Sequence, residues 1–356
     1  MNQEQIKKIE KSIQNMKDKK SKIYLLVQDT KGNAKASIAY SYRLGVTLSK
    51  QGYNMIMLHE KSDYTGVSEW LGSEYMELPH NPIEGQQLQI SPEDFIIVPD
   101  IFGYMMPQVS NLPCGKIVLC QSGDWVTETL SPGQSWSTLG FTKSIITSEW
   151  LKGYVSPIMK GVSYDIIEPV ISDKFSVSKY PAKPIIAVHS REQRDGINLI
   201  KKFYLKYPQF RWITFKDMRS QTEEEFSNTL KESCLSVWMD TQSSFGTFPL
   251  ESMASNCPVV GLVPDIKPTW MDENNGIWTK DGDKLIDMIA DYIQNWVEDN
   301  ISEKLYEDGL NTSSKYQNLE KFNTSVVDLF TSYLTFRVDT FSQQLNKFKI
   351  EEHYGK

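Results

Sequence analysis

Two arginines in the second half of the chain are suited to holding phosphate groups. Arg191 and Arg194 follow the apolar run 185–189 and open a helical pattern. Guanidinium groups bind phosphate oxygens in pairs, and the N–H groups at a helix N-terminus add to such a site. We therefore predict that both arginines bind a diphosphate. The alternative is a surface pairing with Glu192 and Asp195.

A second candidate segment, 240–261, places a polar, glycine-containing loop before a predicted helix that carries Glu251 near its start. The residues of this loop are Ser243, Ser244, Phe245 and Gly246. The Glu251 carboxylate is suited to accepting hydrogen bonds from both hydroxyls of a ribose, and the loop lies where a phosphate and a sugar would reach. The alternative role for Glu251 is compensation of the helix dipole, which contributes only tenths of a kcal/mol.

The first half carries a weaker phosphate signal. Gly32 and Asn33 follow the first apolar run and precede a helix, so their turn could expose N–H groups to an anion; a plain connecting turn is the alternative. A dinucleotide oxidoreductase would need the pattern G-x-G-x-x-G at this place, and the chain lacks it.

These residues need a scaffold of alternating strands and helices. Short apolar runs predict parallel strands, with helical patterns between them. The runs are 23–28, 55–59, 95–99, 116–120 and 144–147, then 185–189, 211–215, 234–239 and 258–262. The fold class is therefore α/β, with two Rossmann-like parallel-sheet domains that face each other across a cleft.

The predicted organisation has four parts. A basic amphipathic leader helix spans 1–22, and an N-terminal Rossmann-like domain spans 23–175. A C-terminal Rossmann-like domain spans 176–335, and a helical tail, 336–356, returns to the N-terminal domain. The lysine-rich leader would allow peripheral contact with a membrane or phosphate surface; a helix laid across the domain in water is the alternative.

Composition excludes several classes of protein. The 356 residues include 40% hydrophobic and 23% charged side chains, which is typical of globular domains. The net charge of −7 argues mildly against nucleic acid as the main partner. The four cysteines show neither disulfide nor zinc spacing, so we expect reduced thiols and no metal site. No apolar run is long enough to span a membrane and the N-terminus is polar, so a cytoplasmic protein is expected.

At 243–260 the sequence S-S-F-G-T-F-P-L-E-S-M-A-S-N-C-P-V-V resembles family 4 glycosyltransferases of GT-B architecture, whose signature is E-G-F-G-x-P-x-x-E-A-M-A-x-G-x-P-V-I. The residues in register are Phe245, Gly246, Glu251, Met253, Ala254 and Pro258. Arg191 resembles the family's donor-phosphate arginine, and Arg194 lies near the family's lysine. The resemblance covers roughly 22–335 and is strongest over 185–280.

The chain departs from the family pattern at two positions. Ser243 replaces the first glutamate of the E-x7-E pair, and the histidine that often follows the fourth strand of the first domain is absent. Gln121 or Asp124 would have to serve there, and both are predicted catalytic residues. Residues 120–136 also loosely resemble phage DNA glucosyltransferases, with Asp124 near their basic carboxylate.

The resemblance implies an enzyme that transfers a sugar from a nucleotide-diphosphate donor to an acceptor hydroxyl, with 23–175 as the acceptor domain and 176–335 as the nucleotide-sugar domain. It implies retention of anomeric configuration, and we expect no metal and no cofactor besides the donor. The acceptor is a glycan, a lipid-linked sugar or, less favoured, phage DNA. A non-catalytic GT-B-like sugar-binding or scaffold subunit is the alternative, because of Ser243 and the missing histidine.

Overall fold

The computed structural model describes residues 3–86 and 88–354, so the predicted leader and tail extend at residues 1–2 and 355–356 beyond what is described. The first sheet contains β1 (Lys22–Leu26), β2 (Asn54–His59), β3 (His80–Pro82), β4 (Phe95–Pro99), β5 (Gly115–Cys120), β6 (Lys143–Ile146) and β7 (Ser163–Ile166). Its order is β3-β2-β1-β4-β5-β6-β7 and every pairing is parallel. Its helices are α1 (Gln3–Lys17), α2 (Ala36–Lys50), α3 (Met106–Ser110), α4 (Trp125–Glu128) and α5 (Glu149–Val155).

The second sheet contains β8 (Lys183–His189), β9 (Thr214–Asp217), β10 (Ser233–Trp238), β11 (Val259–Leu262) and β12 (Ile277–Thr279). Its order is β12-β11-β10-β8-β9, again with parallel pairings. The remaining helices are α6 (Gln193–Lys206), α7 (Glu223–Glu232), α8 (Thr247–Ala254), α9 (Gly282–Val297), α10 (Glu303–Ser314) and α11 (Leu319–Tyr354). Two parallel sheets with flanking helices confirm the predicted fold class.

Both faces of the first sheet are buried, as parallel sheets require. Along β1, Ile23 and Leu25 pack on one face, whereas Tyr24 and Leu26 pack on the other. This alternation follows from the two-residue period of a strand. Polar loops can therefore form a site only at the ends of the strands, and in parallel sheets this is the carboxyl end.

The long C-terminal helix α11 packs on the first sheet. Phe322, Val326, Phe330 and Tyr333 are buried in the same cluster as Leu25. Their spacing of three or four residues forms one apolar stripe on the helix. The return to the first domain begins with α11 at Leu319, so residue 335, the predicted end of the second domain, lies inside this helix.

The leader helix is shorter than predicted and is docked on the domain. It ends at Lys17 because Lys19 adopts a left-handed conformation (φ 54°), and β1 begins at Lys22. Met16 is buried in the core of the first domain, and Glu10 forms an ion pair with Lys349 of α11 at 2.9 Å. This part of the apolar face of α1 is covered by the first domain, so only the exposed lysines of the helix could contact a negatively charged surface.

No helix in residues 3–86 and 88–354 has the length and apolarity needed to cross a membrane. The four cysteines, Cys114, Cys120, Cys234 and Cys257, are buried free thiols.

Candidate active site

The loops at the carboxyl ends of the two sheets meet across the cleft. Ser244, which follows β10, donates a hydrogen bond to the carbonyl of Gln121 at 3.3 Å, and its hydroxyl accepts one from the N–H of Gly123 at 3.3 Å. Gln121 and Gly123 follow β5 in the first domain. Two segments that the sequence assigns to opposite substrates are thus in direct contact.

Asp100, which sequence reasoning missed, holds the loop after β5. It is buried at the end of β4, and its Oδ2 accepts hydrogen bonds from the N–H groups of Gln121 at 2.8 Å and Ser122 at 2.7 Å. Burial raises the pKa of Asp100 to about 6, while these hydrogen bonds oppose the rise. The sequence signal that could have identified Asp100 is its position directly after the buried run 95–99.

Asp124 presents an unoccupied acceptor in this loop. Its Oδ2 is buried and has no hydrogen-bond partner within the described residues. Burial raises the pKa of this carboxyl, and the positive charge of Arg191 opposes that rise. The carboxylate of Glu128 in the first domain and those of Asp265 and Asp240 in the second domain raise it further, so acidic groups from both domains surround Asp124.

Arg191 is held by a carboxylate at the end of the neighbouring strand. Its Nε lies 3.1 Å from Oδ1 of Asp240, and its Nη2 lies 3.4 Å from Oδ2. This fork-like contact fixes the guanidinium plane at the edge of the second sheet. Arg194 lies on the exposed first turn of α6.

The loop Ser243–Gly246 forms a tight turn that opens α8. Ser243 Oγ accepts a hydrogen bond from the Gly246 N–H at 3.1 Å, and the carbonyl of Phe245 accepts one from Trp270 Nε1 at 2.7 Å. Gly246 has a φ of 73°, a region that favours glycine. The Ser243 hydroxyl thereby stabilises the turn. In the family signature this position is a glutamate.

We predict that Gly246→Ala destabilises the fold more than Gly85→Ala does. Both glycines have a φ near +70° (73° and 71°), but a Cβ at Gly246 would lie 2.9 Å from the Trp238 ring, whereas no atom of the residues that the structure describes lies within 4 Å of a Cβ at Gly85. Backbone strain costs about 1–2 kcal/mol at each site. Crowding adds about 1–3 kcal/mol at Gly246 only. Urea denaturation of both variants measures the difference, and equal losses would contradict it.

Glu251 lies on α8 beside an ion cluster that joins the domains. Arg43 on α2 forms an ion pair with Glu223 on α7, and Lys174 lies 2.9 Å from the same carboxylate. Burial raises the pKa of Glu251 to about 8; Arg43 opposes this rise and Glu223 adds to it. A shift in this direction favours the protonated form of Glu251 near neutral pH.

The predicted phosphate turn also contacts the other domain. Lys31 and Gly32 adopt left-handed conformations (φ 51° and 81°), as a tight turn requires. Asn33 Oδ1 accepts a hydrogen bond from the Ser220 hydroxyl at 2.9 Å, and Asn33 Nδ2 donates one to the Thr30 carbonyl at 3.1 Å. The side chain of Asn33 is thus used for an interdomain contact.

Within the part of the chain that the structure describes, no three His, Cys, Asp or Glu side chains are arranged to hold a metal ion. The predicted phosphate, ribose and catalytic roles remain predictions.

The chain resembles known glycosyltransferases in sequence and in structure. It is 23% identical over 302 residues to an alpha-1,6-glucosyltransferase of Actinobacillus pleuropneumoniae serotype 7 (strain AP76), over 82% of this chain and 90% of that protein. It matches sucrose-phosphate synthase from Thermosynechococcus elongatus with a TM-score of 0.63 at 14% identity, covering 88% and 99% of the two chains. No family model matches the chain.

A third similar protein is Anabaena HepE, solved in complex with UDP-glucose, with a TM-score of 0.62 at 13% identity over 87% of this chain and 99% of that one. These comparisons and the two parallel sheets define the class, which is the GT-B fold. The predicted resemblance to glycosyltransferases of this architecture is confirmed.

Proposed function

We propose that this chain transfers a glucosyl group from UDP-glucose to a hydroxyl of an acceptor. The observation that carries the proposal is the contact of Ser244 with Gln121 and Gly123, which joins the predicted donor loop to the predicted acceptor loop. UDP-glucose is chosen because the curated relative is a glucosyltransferase and the HepE structure holds this nucleotide-sugar.

The donor would bind along the second domain. Arg191 and Arg194 would neutralise the diphosphate, and Asp240 already orients the first of them. Glu251 would accept hydrogen bonds from the ribose hydroxyls. The loop 243–246 would contact the sugar and the distal phosphate. A fixed guanidinium and the N-terminus of α8 would then meet the charge that develops on the leaving group, and we infer that no metal is needed for that step.

The reaction would break the bond between the anomeric carbon and the diphosphate oxygen, and the electron pair would leave on UDP. The acceptor oxygen would bond to the same carbon on the face from which the diphosphate leaves, as retention requires, and its proton would pass to Asp124. The unpartnered Oδ2 of Asp124 supports this role, and its raised pKa makes it a better proton acceptor than an exposed carboxylate. We infer retention of configuration from the resemblance.

The test follows thermal shift and UDP release with UDP-, GDP- and ADP-glucose. We expect UDP-glucose to stabilise the protein most and to release UDP, faster when an acceptor sugar is present. The NMR coupling of the product's anomeric proton then reports retention. Stabilisation by any of these nucleotide-sugars without release of UDP would instead favour the alternative, a non-catalytic sugar-binding subunit. Ser243, at the position of the family's glutamate, supports that alternative.

A further inference from the structure

A cavity of about 520 Å³ opens where the two domains meet, beside the predicted active site. Its size falls in the range of small-molecule sites, about 300–1,000 Å³, and is far larger than a water site. Helix α5 of the first domain and the segment after β11 of the second domain line it. The lining residues are Glu149, Trp150, Gly153, Tyr154, Asp265, Ile266 and Thr269.

Two aromatic side chains dominate the wall from the first domain. Trp150 and Tyr154 lie four residues apart on α5, hence on one face, and both are about half exposed (49% and 47%). The helix is fixed because Ser148 caps it, with its hydroxyl accepting from the Leu151 N–H at 3.1 Å, and because Leu151 and Val155 are buried. Rigid, exposed rings of this kind are suited to stacking against the apolar face of a sugar ring.

Two carboxylates face the same cavity, Glu149 from the first domain and Asp265 from the second. Carboxylates accept hydrogen bonds from sugar hydroxyls. Glu149 is partly balanced by Lys152 at 3.5 Å, whereas Asp265 forms no ion pair among the residues that the structure describes. The unpaired negative charge of Asp265 disfavours a phosphorylated ligand.

The cavity adjoins the loop that carries Asp124. A Cβ built on Gly123 would lie 2.3 Å from Ile266 Cδ1 and 3.0 Å from Tyr154 Cε1, so both lining residues press against the backbone of Gly123. The charge of Asp265 also raises the pKa of Asp124. Gly123 directly precedes Asp124, so the cavity adjoins the loop that carries this carboxylate.

We propose that this cavity is the acceptor subsite and that it binds an uncharged saccharide. The sugar ring stacks on Trp150 and Tyr154, and its hydroxyls donate to Glu149 and Asp265. One hydroxyl then points toward Asp124. This inference rests on the proposed function, and it selects a neutral glycan over lipid phosphate and nucleic acid as the acceptor.

The test measures acceptor kinetics with isomaltose, lactose and chitobiose as neutral probes and glucose 6-phosphate as the charged one. Trp150→Ala should raise the KM for the best neutral acceptor about tenfold, with a much smaller change in kcat, because stacking acts on acceptor binding. Trp150→Phe should restore most of the loss. Trp212→Ala is the matched control, because Trp212 is equally exposed (48%) and lies outside the cavity.

Direct binding separates this inference from the proposed function. Saturation-transfer NMR with the same saccharides, without donor, should show binding to the wild type and to Trp212→Ala and its loss in Trp150→Ala. If the wild type binds saccharide but does not turn over UDP-glucose, only the proposed function fails. If no saccharide binds, if glucose 6-phosphate is preferred, or if Trp150→Ala changes neither KM nor binding, the subsite is overturned.

Discussion

Arg191→Ala should lower kcat/KM for glucosyl transfer by a factor on the order of 10²–10³. The expected loss is that of a preorganised donor aimed at the charge of a leaving group, about 3–4 kcal/mol. Arg191 qualifies because Asp240 holds it in place before any substrate arrives, with Nε–Oδ1 at 3.1 Å. Initial rates over a range of UDP-glucose concentrations measure the effect.

Two further variants make this result interpretable. Arg211→Ala removes an exposed arginine that follows the short turn Pro208–Phe210 and precedes β9, at the opposite end of the strands from the site, and should leave kcat/KM unchanged. Asp240→Asn frees the guanidinium without removing it and should cost less than Arg191→Ala. Because the positive charge of Arg191 lowers the pKa of Asp124, the acid limb of the pH–rate profile should shift to higher pH in Arg191→Ala. An unchanged rate in Arg191→Ala would contradict the phosphate role.

The central strands of both sheets follow from the sequence because they are buried on both faces. The run 95–99 is β4 without any shift of its ends, and every one of its residues is buried. The edge strands β3, β7 and β12 were missed because they are only three or four residues long and partly exposed. An edge strand is stabilised by its one neighbour rather than by its own pattern.

The candidate site divides in the same way. Arg191 and Glu251 are found from local motifs, since strand, loop and helix set their positions. Asp100 acts on backbone N–H groups 21 and 22 residues away, and no local pattern reports that contact. The Arg43–Glu223 pair depends on how the domains meet, which one chain's hydrophobic periodicity does not encode.

Glu251→Gln should abolish a proton release that accompanies donor binding. Burial raises the pKa of Glu251 to about 8, so the free protein holds this proton at pH 7. Ribose hydroxyls donate hydrogen bonds and therefore favour the ionised carboxylate, which lowers the pKa in the complex. Linkage then requires that UDP-glucose affinity rise with pH, by up to about tenfold per unit, and level off above pH 8.

Calorimetric titration with UDP-glucose at pH 7, in buffers of different ionisation enthalpy, counts the released protons. UDP-glucose is the right probe because its diphosphate is esterified at both ends and does not titrate between pH 6 and 8. We expect close to one proton for the wild type and for Glu232→Gln, a control at an exposed carboxylate paired with Lys183. Glu251→Gln should release none and should bind about ten- to a hundredfold more weakly at pH 8, because the amide replaces an anionic acceptor. Undiminished proton release in that variant, or affinity that falls as the pH rises from 6 to 8, would remove Glu251 from the ribose site and leave its raised pKa a consequence of packing beside Glu223.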